Sequence, residues 1–490
     1  MYLGIDLGTS SLKAVLVGGD GAIVAQAGAP LTLSSPRAQW NEQDPEAWWA
    51  ALLAALGDLR AEHDLSGVRA IGLCGQMHGA VLLDDADRVL RPAILWNDGR
   101  AQAECAELEA TELRSAAITG NRAMPGFTAP KLLWVRRHEP DIFARTARVL
   151  LPKDWLRLRL TGEVVSEMSD AAGTLWLDVG RRRWSDAMLS ATGLTERHMP
   201  SLVEGSALSG RLRPVVAALL GLPVGCPVAG GAGDNAAGAV GLGCIAPGQA
   251  FLSLGTSGVI FTADAAFMPD PDRMVHAFCH ALPNAWHRMS VILSAAASLS
   301  WIAASTGTDE ATLLREIAAA PVAPRERLVF LPYLSGERTP HNDAAAAGVF
   351  FGLNTGHGRA AMGRAVLEGV GFGLGDGLDA LEAGGGRIDA LTVIGGGSRG
   401  ALWLRILSTI LHRRLSVVEG GDVRPALGAA RLAMLAVNAG DARSVCSTPA
   451  EREVFEPDPA LAEGLMFRRS VFRRLYPALR PIFAASVEAI

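Results

Sequence analysis

The chain has 490 residues, of which 49% are hydrophobic, 19% charged and 6% aromatic, and its formal net charge at pH 7 is −5. This length exceeds what one hydrophobic core usually supports, so we expect two domains of about 200 to 250 residues. The slight acidity predicts no nucleic-acid partner. The longest apolar region, 224–261, is interrupted by Asp234 and Asn235 and rich in glycine, so we expect no membrane span.

The cysteine pattern and the N-terminus indicate the cellular compartment. None of the six cysteines stands in a spacing typical of a metal site or a redox pair, so we interpret them as reduced, mostly buried thiols. Strand-like residues begin the chain directly, which leaves no room for a signal peptide. These features predict a cytoplasmic protein.

The first predicted element is a β-hairpin. Apolar residues 2–5 and 14–17 flank the turn Gly8-Thr9-Ser10-Ser11, and Asp6 ends the first strand just before it. Such a turn offers backbone N–H groups without bulk, which suits a phosphate. A carboxylate here can hold Mg²⁺ beside the phosphates, and Lys13 is within reach. The alternative is that Asp6 only hydrogen-bonds the turn.

Strands and helices alternate from this hairpin to the middle of the chain. They are, in chain order, a strand pair near 23–33, a helix opened by Asp44 and Pro45, strands at 68–74, 80–83 and 93–96, and a helix-rich stretch from 101 to about 220. The polar run Gln76-Met77-His78-Gly79 follows the strand at 68–74 and supplies donors and acceptors suited to a polyol. A lone histidine such as His78 is nevertheless more often structural.

A second carboxylate stands at a predicted helix start. Residues 227–230 form a strand, and Gly231-Ala232-Gly233-Asp234-Asn235 opens a helix of small residues. The N-terminus of a helix favours an ionised carboxylate. An ionised Asp234 within hydrogen-bond reach of a sugar hydroxyl could act as its general base. The alternative is that Asp234 only caps the helix.

The first hairpin motif returns near the midpoint of the chain. Leu254-Gly255-Thr256-Ser257 repeats Leu7-Gly8-Thr9-Ser10, but Ser253 stands where the first copy has Asp6. A duplicated phosphate turn with one carboxylate suggests two like domains that close on a nucleotide and its metal. The segment 244–248 separates the halves, so we predict one domain at 1–244 and another at 245–490.

The second half again alternates helices and strands. The predicted elements are helices at 294–305, 359–381 and 401–411, and strands at 328–331 and 391–394. The last strand runs into Gly395-Gly396-Gly397-Ser398, where bare backbone lets a ligand approach closely. The chain therefore reads as two α/β domains, each of which begins with a hairpin.

Two common nucleotide motifs do not explain this chain. No G-x-x-x-x-G-K-[ST] run occurs, which excludes a P-loop. Gly231-x-Gly233-x-x-Ala236 imitates a dinucleotide fingerprint, but no acidic residue follows about 20 positions later to hold a ribose. A dehydrogenase is therefore a poor interpretation.

Taken together, the motifs resemble the FGGY carbohydrate kinases over almost the whole chain. The matching runs are 2–10, 75–79, 94–100, 233–238, 253–257 and 395–398. The longer runs 124–131, 151–154 and 334–341 are similar to those of the family members that phosphorylate xylulose. One departure is Ala232, which stands where the family often has a third consecutive glycine.

This resemblance implies an α/β fold with two actin/hexokinase-like, ribonuclease H-like domains flanking a deep catalytic cleft. It implies transfer of phosphate from ATP, with Mg²⁺, to O5 of D-xylulose. The implied catalytic residues are Asp234, as proton acceptor, and Asp6, as the metal-linked carboxylate. The implied sugar-binding residues are Gln76, Met77, His78, Asp234 and Asn235. The implied ATP-binding residues are Gly8, Thr9, Ser10, Lys13, Gly255, Thr256, Gly395, Gly396, Gly397 and Ser398.

Two alternative functions and the oligomeric state stay open at this point. The chain could phosphorylate another ketose, a polyol or a sugar acid, or serve as an ATP-binding scaffold of the actin or chaperone kind. In each kinase case the partners are a small sugar and ATP. Near the C-terminus, Phe467, Val471 and Leu475 form an apolar stripe. Packing on its own domain is the favoured interpretation of this stripe, and a homodimer interface is the alternative.

Overall fold

The computed structural model describes residues 1–321, 326–420 and 423–488. All six cysteines are buried and none is paired in a disulfide, as the sequence predicts. In the described part of the chain, no helix combines the length and the apolarity needed to cross a membrane.

The strands are mostly short and fall into two large sheets and several small ones. They are β1 (Tyr2–Leu7), β2 (Ser11–Val17), β3 (Ile23–Pro30), β4 (Glu42–Gln43), β5 (Ile71–Gly75), β6 (Val81–Leu83), β7 (Ala93–Ile94), β8 (Arg148–Leu150), β9 (Val165–Glu167), β10 (Leu177–Asp178), β11 (Arg183–Trp184), β12 (Ser201–Val203), β13 (Leu208–Arg211), β14 (Pro227–Ala229), β15 (Ala232–Gly233), β16 (Ala250–Leu254), β17 (Gly258–Asp264), β18 (His276–Cys279), β19 (Trp286–Ile292), β20 (Val329–Leu331), β21 (Val349–Phe351), β22 (Ala390–Ile394), β23 (Arg414–Val418) and β24 (Glu451–Phe455).

The helices cover both sheets and fill the long insertions of the first half. They are α1 (Pro45–Glu62), α2 (Gln102–Thr111), α3 (Ser115–Thr119), α4 (Thr128–His138), α5 (Pro140–Arg145), α6 (Pro152–Thr161), α7 (Met168–Ala171), α8 (Asp186–Ala191), α9 (Pro214–Leu220), α10 (Asp234–Leu242), α11 (Ala296–Ser305), α12 (Glu310–Ala319), α13 (Arg359–Ala383), α14 (Ala401–Leu411), α15 (Arg424–Ala436), α16 (Ala442–Val445) and α17 (Pro459–Glu488).

The two large sheets share one topology. The first runs β13-β14-β5-β1-β2-β3, and the second contains β24-β23-β22-β16-β17-β19 with β18 added at its edge. In both, the central hairpin is antiparallel, the next two pairings are parallel, and the outer strand is antiparallel. The repeated Leu-Gly-Thr-Ser turns thus join equivalent central strands of two duplicated α/β units.

Most of the predicted elements form close to their expected positions. The helix predicted at 401–411 coincides with α14, and the strand at 391–394 is one residue shorter than β22. The strand pair predicted near 23–33 is wrong, because this region forms the single edge strand β3. β3 pairs with β2 along its length, and no other strand of the described residues pairs with its opposite side.

Glycines let helix α15 of the second half lie unusually close to the first sheet and to helix α10. Helix α15 crosses the first sheet, and a Cβ added to Gly4 or Gly72 would lie 1.9 or 1.8 Å from a carbonyl oxygen of α15. A Cβ on Gly428 of α15 would lie 1.8 Å from Ala237 O of α10. Arg431 of α15 donates to the carbonyl oxygens of Val240 and Gly241 at 2.9 and 3.1 Å. These bonds satisfy carbonyls in the last turn of α10, where the regular helical hydrogen bonds end, although Val240 O also accepts from Gly243 N at 3.2 Å.

The apolar stripe near the C-terminus packs largely on its own half. Leu475 is buried, and Val471 packs against the core of the second sheet. Phe467 is 52% exposed. Three arginines of α17 pair with acidic residues of α13, and one of these pairs joins Arg468 to Glu368 at 2.6 Å. Intramolecular packing therefore accounts for two of the three stripe residues.

Candidate active site

The register of the first sheet brings three distant motifs to one edge. Asp6 of β1 lies opposite Cys74 of β5, and Cys74 lies opposite Ala232 of β15. These strands are parallel, so the chain leaves each of them at the same edge of the sheet. Gln76 and Asp234, each two residues beyond those partners, therefore emerge beside the first hairpin turn. The sequence motifs at 6–10, 76–79 and 231–235 thus belong to one site.

A cavity of about 270 Å³ opens at this edge. Four of the five predicted sugar-binding residues line it, namely Met77, His78, Asp234 and Asn235. The second half of the chain contributes the opposite wall, which consists of Ser253, Ser257, Val259, His276, Phe278, Met289, Val291 and Arg338. A larger open depression of about 640 Å³ near Arg88 and Arg159 contains none of the predicted site residues.

Asp234 is the first residue of α10 and lines the cavity. Its Oδ1 accepts hydrogen bonds from the backbone N–H and the side-chain amide of Asn235 at 2.7 and 2.9 Å. Burial, assisted by the nearby Asp6 carboxylate, nevertheless raises the pKa of Asp234 to about 7. Desolvation thus outweighs the helix N-terminus, which alone favours the charged form. The group is poised to gain and lose a proton near neutral pH.

Asp6 lies near the end of β1, just before the turn of the first hairpin. Strand β5 separates β1 from β15, and Asp234 follows β15. The Cys74 thiol donates to its Oδ1 at 3.5 Å. Burial raises the pKa of Asp6, while the Cys74 hydrogen bond and the Lys13 ammonium lower it. Lys13 is the cross-strand neighbour of Asp6 in the hairpin register. The site therefore holds two carboxylates that repel one another, with one lysine beside the first.

Met77 and His78 are held by residues from the insertions. His78 has a left-handed backbone (φ 69°), and its carbonyl oxygen accepts from Lys131 Nζ at 2.9 Å and Thr128 Oγ1 at 3.1 Å. Its Nδ1 lies 2.6 Å from Gly173 O, so Nδ1 carries the proton and Nε2 is an acceptor. Burial lowers the pKa of His78 to about 3, which keeps the ring neutral.

The turn before Asp234 is anchored by a buried ionic cluster. Arg157 donates to Ala229 O at 2.7 Å and to Gly230 O at 2.6 Å, and Ser169 Oγ accepts from Gly233 N at 3.1 Å. Behind them, fully buried Lys153 pairs with three carboxylates: Asp154 at 2.9 Å, Glu167 at 3.3 Å and Asp170 at 2.8 Å. This cluster fixes the backbone from which Asp234 projects.

Gln76 differs from the other predicted sugar residues because it does not line the cavity. Its Nε2 donates to Gln43 Oε1 at 3.1 Å, and its Oε1 accepts from Thr9 Oγ1 at 3.1 Å. Thr9 Oγ1 also accepts from Trp96 Nε1 at 2.9 Å. The structure thus places Gln76 and Thr9 in a chain of hydrogen bonds that braces the first hairpin turn.

The predicted ATP-binding residues gather in two places. Gly8, Thr9, Ser10 and Lys13 belong to the first hairpin, next to Asp6. Gly255 and Thr256 form the turn of the second hairpin, against which the 395–398 turn packs. A Cβ on Gly395 would lie 2.8 Å from Leu254 O, and Gly395 has a φ of +88°. Ser398 Oγ donates to Gly395 O at 2.7 Å and closes this glycine turn.

Family models identify both halves of the chain. The model of the FGGY carbohydrate kinase N-terminal domain matches residues 1–241, and that of the C-terminal domain matches residues 250–437. The chain belongs to the FGGY family of carbohydrate kinases. The fold is accordingly the pair of α/β domains that this family shares, and the chemistry of the family is transfer of phosphate from ATP to a carbohydrate.

Full-length relatives of this FGGY kinase agree with the family models. It is 53% identical over 488 residues to the xylulose kinase of Escherichia coli K12, covering 99% of this chain and 100% of that protein. It is 52% identical to the xylulose kinase of Klebsiella pneumoniae over the same shares. The crystal structure of a xyloylose kinase from Brucella ovis superimposes with a TM-score of 0.95 at 51% identity, covering 98% of this chain and 99% of that one.

Several cavity residues of this FGGY kinase escaped the sequence reasoning. Arg338 lies in the run 334–341, which the resemblance includes without giving any residue in it a role. Phe127 likewise lies in the run 124–131, and its ring meets the edge of His78 with centroids 4.6 Å apart. His276 gave no signal, because it lies in the short apolar strand β18. His276 comes to line the cavity because β18 pairs with β19 at the edge of the second sheet, which cannot be read from the local sequence.

Proposed function

We propose that this FGGY kinase transfers the γ-phosphoryl group of ATP to O5 of D-xylulose, giving D-xylulose 5-phosphate and ADP. The observation that carries the chemistry is Asp234, a partly buried carboxylate with a pKa of about 7 in a cavity walled by both halves of the chain. The choice of sugar rests on the full-length xylulose kinase relatives.

The size of the cavity supports a single small sugar as acceptor. Its volume is about 270 Å³. A pentulose has about ten non-hydrogen atoms, so one such molecule fits in this space. Apolar walls with a few polar groups are typical of small-molecule sites. A scaffold that uses ATP only to change shape has no need of such a compartment.

In the proposed reaction, Asp234 accepts the proton of the O5 hydroxyl. As the bond from O5 to the γ-phosphorus forms, the bond from that phosphorus to the β,γ-bridging oxygen breaks and ADP leaves. Both hydrogen bonds from Asn235 end on Oδ1 of Asp234. We assign proton acceptance to Oδ2, which receives no hydrogen bond within the described residues. Met77, His78 and Asn235 position the sugar, and Gln76 acts through Thr9 on the hairpin turn.

The residues present fit a bound Mg²⁺. The described residues contain no cluster of three or more His, Cys, Asp or Glu side chains that could hold a metal unaided. Mg²⁺ in kinases, however, commonly takes one or two carboxylates together with substrate phosphates. Asp6 is such a carboxylate, partly buried beside the hairpin turn and close enough to raise the pKa of Asp234. When bound there, Mg²⁺ would neutralise charge on the nucleotide phosphates.

For ATP we propose the two hairpin turns and the glycine turn as the phosphate and nucleoside contacts. Gly8, Ser10 and Lys13 would serve from the first domain, and Gly255 and Thr256 from the second. The turn at 395–398 would lie against the nucleoside. We place the domains at 1–244 and 245–490, so that closure about the connecting segment excludes water from the reacting groups.

The test is a coupled assay of ADP release. The purified chain is incubated with Mg·ATP and D-xylulose, other ketoses, pentitols or sugar acids, and without sugar. We expect the highest kcat/KM with D-xylulose and a product phosphorylated at O5 by phosphorus NMR. Greater efficiency with another carbohydrate would reassign the substrate, and ADP release that no sugar accelerates would refute the kinase assignment.

A further inference from the structure

In the second domain, a buried histidine with an unpartnered ring nitrogen forms part of the wall of the sugar cavity. His276, at the start of β18, is only 4% exposed and lines the cavity. Its Nε2 is fully buried and has no hydrogen-bond partner among the described residues. A buried polar atom without a partner is costly, so such atoms in native proteins call for an explanation. A ligand in the adjoining cavity would supply the missing partner once a small movement of the cavity wall uncovers Nε2.

The hydrogen bonds around His276 determine what kind of partner this is. Its Nδ1 lies 2.9 Å from Oδ1 of Asn121. The amide of Asn121 is oriented by its Nδ2, which donates to two carbonyl oxygens, Thr119 O and Ala277 O, each at 2.9 Å. Oδ1 is therefore the acceptor and Nδ1 of His276 the proton carrier. In the neutral ring, Nε2 must then accept a hydrogen bond.

The surroundings keep the ring neutral and in place. Phe278 stacks on His276 with ring centroids 5.7 Å apart, and Phe127 meets its edge at 5.8 Å. Burial and the Arg338 guanidinium hold the pKa of His276 well below its ordinary range. Nε2 therefore carries no proton at any pH at which the kinase would work, and its lone pair can accept a hydrogen bond. His78 offers the same chemistry from the first domain, since Gly173 O fixes its proton on Nδ1.

We propose that His276 is a sugar-binding residue whose Nε2 accepts a hydrogen bond from one hydroxyl of the acceptor sugar, other than the reacting one. This inference rests on the proposed function and extends its sugar site to the second domain. The sugar would be held between acceptors of both domains, His78 and His276, with Arg338 as a donor in the same wall. Sugar binding would thereby favour the closed arrangement of the two halves.

Two substitutions distinguish the contributions of the two ring nitrogens of His276. In His276→Asn, the amide nitrogen can replace Nδ1 and keep the bond to Asn121, but the acceptor in the cavity is lost. In His276→Gln, the amide oxygen lies near the position of Nε2 and can accept again. We expect His276→Asn to raise the sugar KM by about 5- to 100-fold, as befits loss of one buried hydrogen bond. The KM for ATP should change little, and His276→Gln should recover part of the loss.

The decisive measurement pairs these variants with single-deoxy sugars. The ratio of kcat/KM between the unaltered chain and His276→Asn is determined for D-xylulose and for its analogues lacking O1, O3 or O4. We expect the ratio to fall to about one for the one analogue that lacks the contacted hydroxyl. An equal ratio for all four sugars would overturn the proposal, because a structural defect would slow every substrate alike.

A matched control comes from the same aromatic cluster. His287 is equally buried, stacks on Phe261 with centroids 4.5 Å apart and does not line the cavity. His287→Asn should leave the sugar KM unchanged in protein that remains folded by thermal unfolding, and a similar rise in KM would count against His276. If the unaltered chain phosphorylates no sugar, the proposed function fails. The same comparison by calorimetric sugar binding then decides the role of His276.

Discussion

The replacement Asp234→Asn tests the proposed general base with little change of shape. Asparagine keeps Oδ1, which accepts both hydrogen bonds from Asn235, and replaces only the atom that would take the proton. It also removes a partly buried charge that Asp6 repels. Folding should therefore be unharmed, so that a loss of activity would report on chemistry.

The size of the effect follows from the role assigned to Asp234. Loss of a general base costs about 10² to 10⁴ in rate, which corresponds to about 3 to 5 kcal/mol of transition-state stabilisation. The pKa of about 7 adds a pH signature. A general base must be ionised to accept a proton. In the unaltered chain, the logarithm of kcat/KM for the sugar should therefore fall with a slope of one as pH decreases below about 7, which is the acid limb of the profile. In Asp234→Asn this limb should disappear.

Steady-state ADP release between pH 5 and 9, with ATP binding measured in parallel, provides the assay. We expect Asp234→Asn to retain ATP binding while turnover falls at least a hundredfold. The matched control is Asp186→Asn, which makes the same change at the exposed first residue of α8 and should leave turnover unaltered. Turnover of Asp234→Asn within tenfold of the unaltered chain, or an unchanged acid limb, would refute the assignment.

Three further predictions concern the metal, the buried cluster and the domain contact. Asp6→Asn should raise the Mg²⁺ concentration needed for half-maximal activity. Because Asp6 raises the pKa of Asp234, the same change should also move the acid limb of the pH profile to lower pH. An unchanged Mg²⁺ titration would argue against a metal role for Asp6. Lys153→Met should lower the free energy of unfolding in urea by about 3 to 5 kcal/mol, since three buried carboxylates lose their common partner. Gly428→Ala should lower the free energy of unfolding, measured in the same way, by about 3 kcal/mol or more. The control is Gly57→Ala in α1, where a Cβ meets nothing within 4 Å, and it should raise the free energy of unfolding by about 1 kcal/mol. Equal effects of the two glycine substitutions would contradict the close packing of α10 and α15.

Local sequence patterns were sufficient to predict the duplicated architecture. The turns at 8–11 and 255–258 are bounded by short apolar strands, and the helix at 401–411 has a clear period, so each forms near its expected place. The approach of α15 to the first sheet could not be predicted in this way. A glycine inside a strand can indicate close backbone approach, but only the register that pairs Gly4 with Gly72 creates the surface on which α15 lies.

The site shows the same division between local and non-local information. Asp234, Met77 and His78 follow strands directly, and residues at the ends of parallel strands meet at one edge, so their convergence was predictable. The role of Gln76 was not, because its bonds to Gln43 and Thr9 depend on folding of the segment at 42–43 beneath the hairpin. A pKa of Asp234 near 7 also escaped prediction, since burial and the distance to Asp6 are properties of the folded chain.

The two halves are duplicates in topology but differ in charge at equivalent places. Asp6 on β1 corresponds to Ser253 on β16, and α10 begins with Asp234 where α15 begins with Arg424. A polyphosphate tolerates one carboxylate that shares a cation with it, whereas a second carboxylate in the facing hairpin would repel it. Arg424 and Arg431 instead bind carbonyl oxygens at the end of α10, while the first domain anchors its start. Helix α10, which carries the proposed general base, is thus fixed at its start by its own domain and at its end by the duplicate. Its contact with α15 is therefore one of those that a rotation between the halves would change.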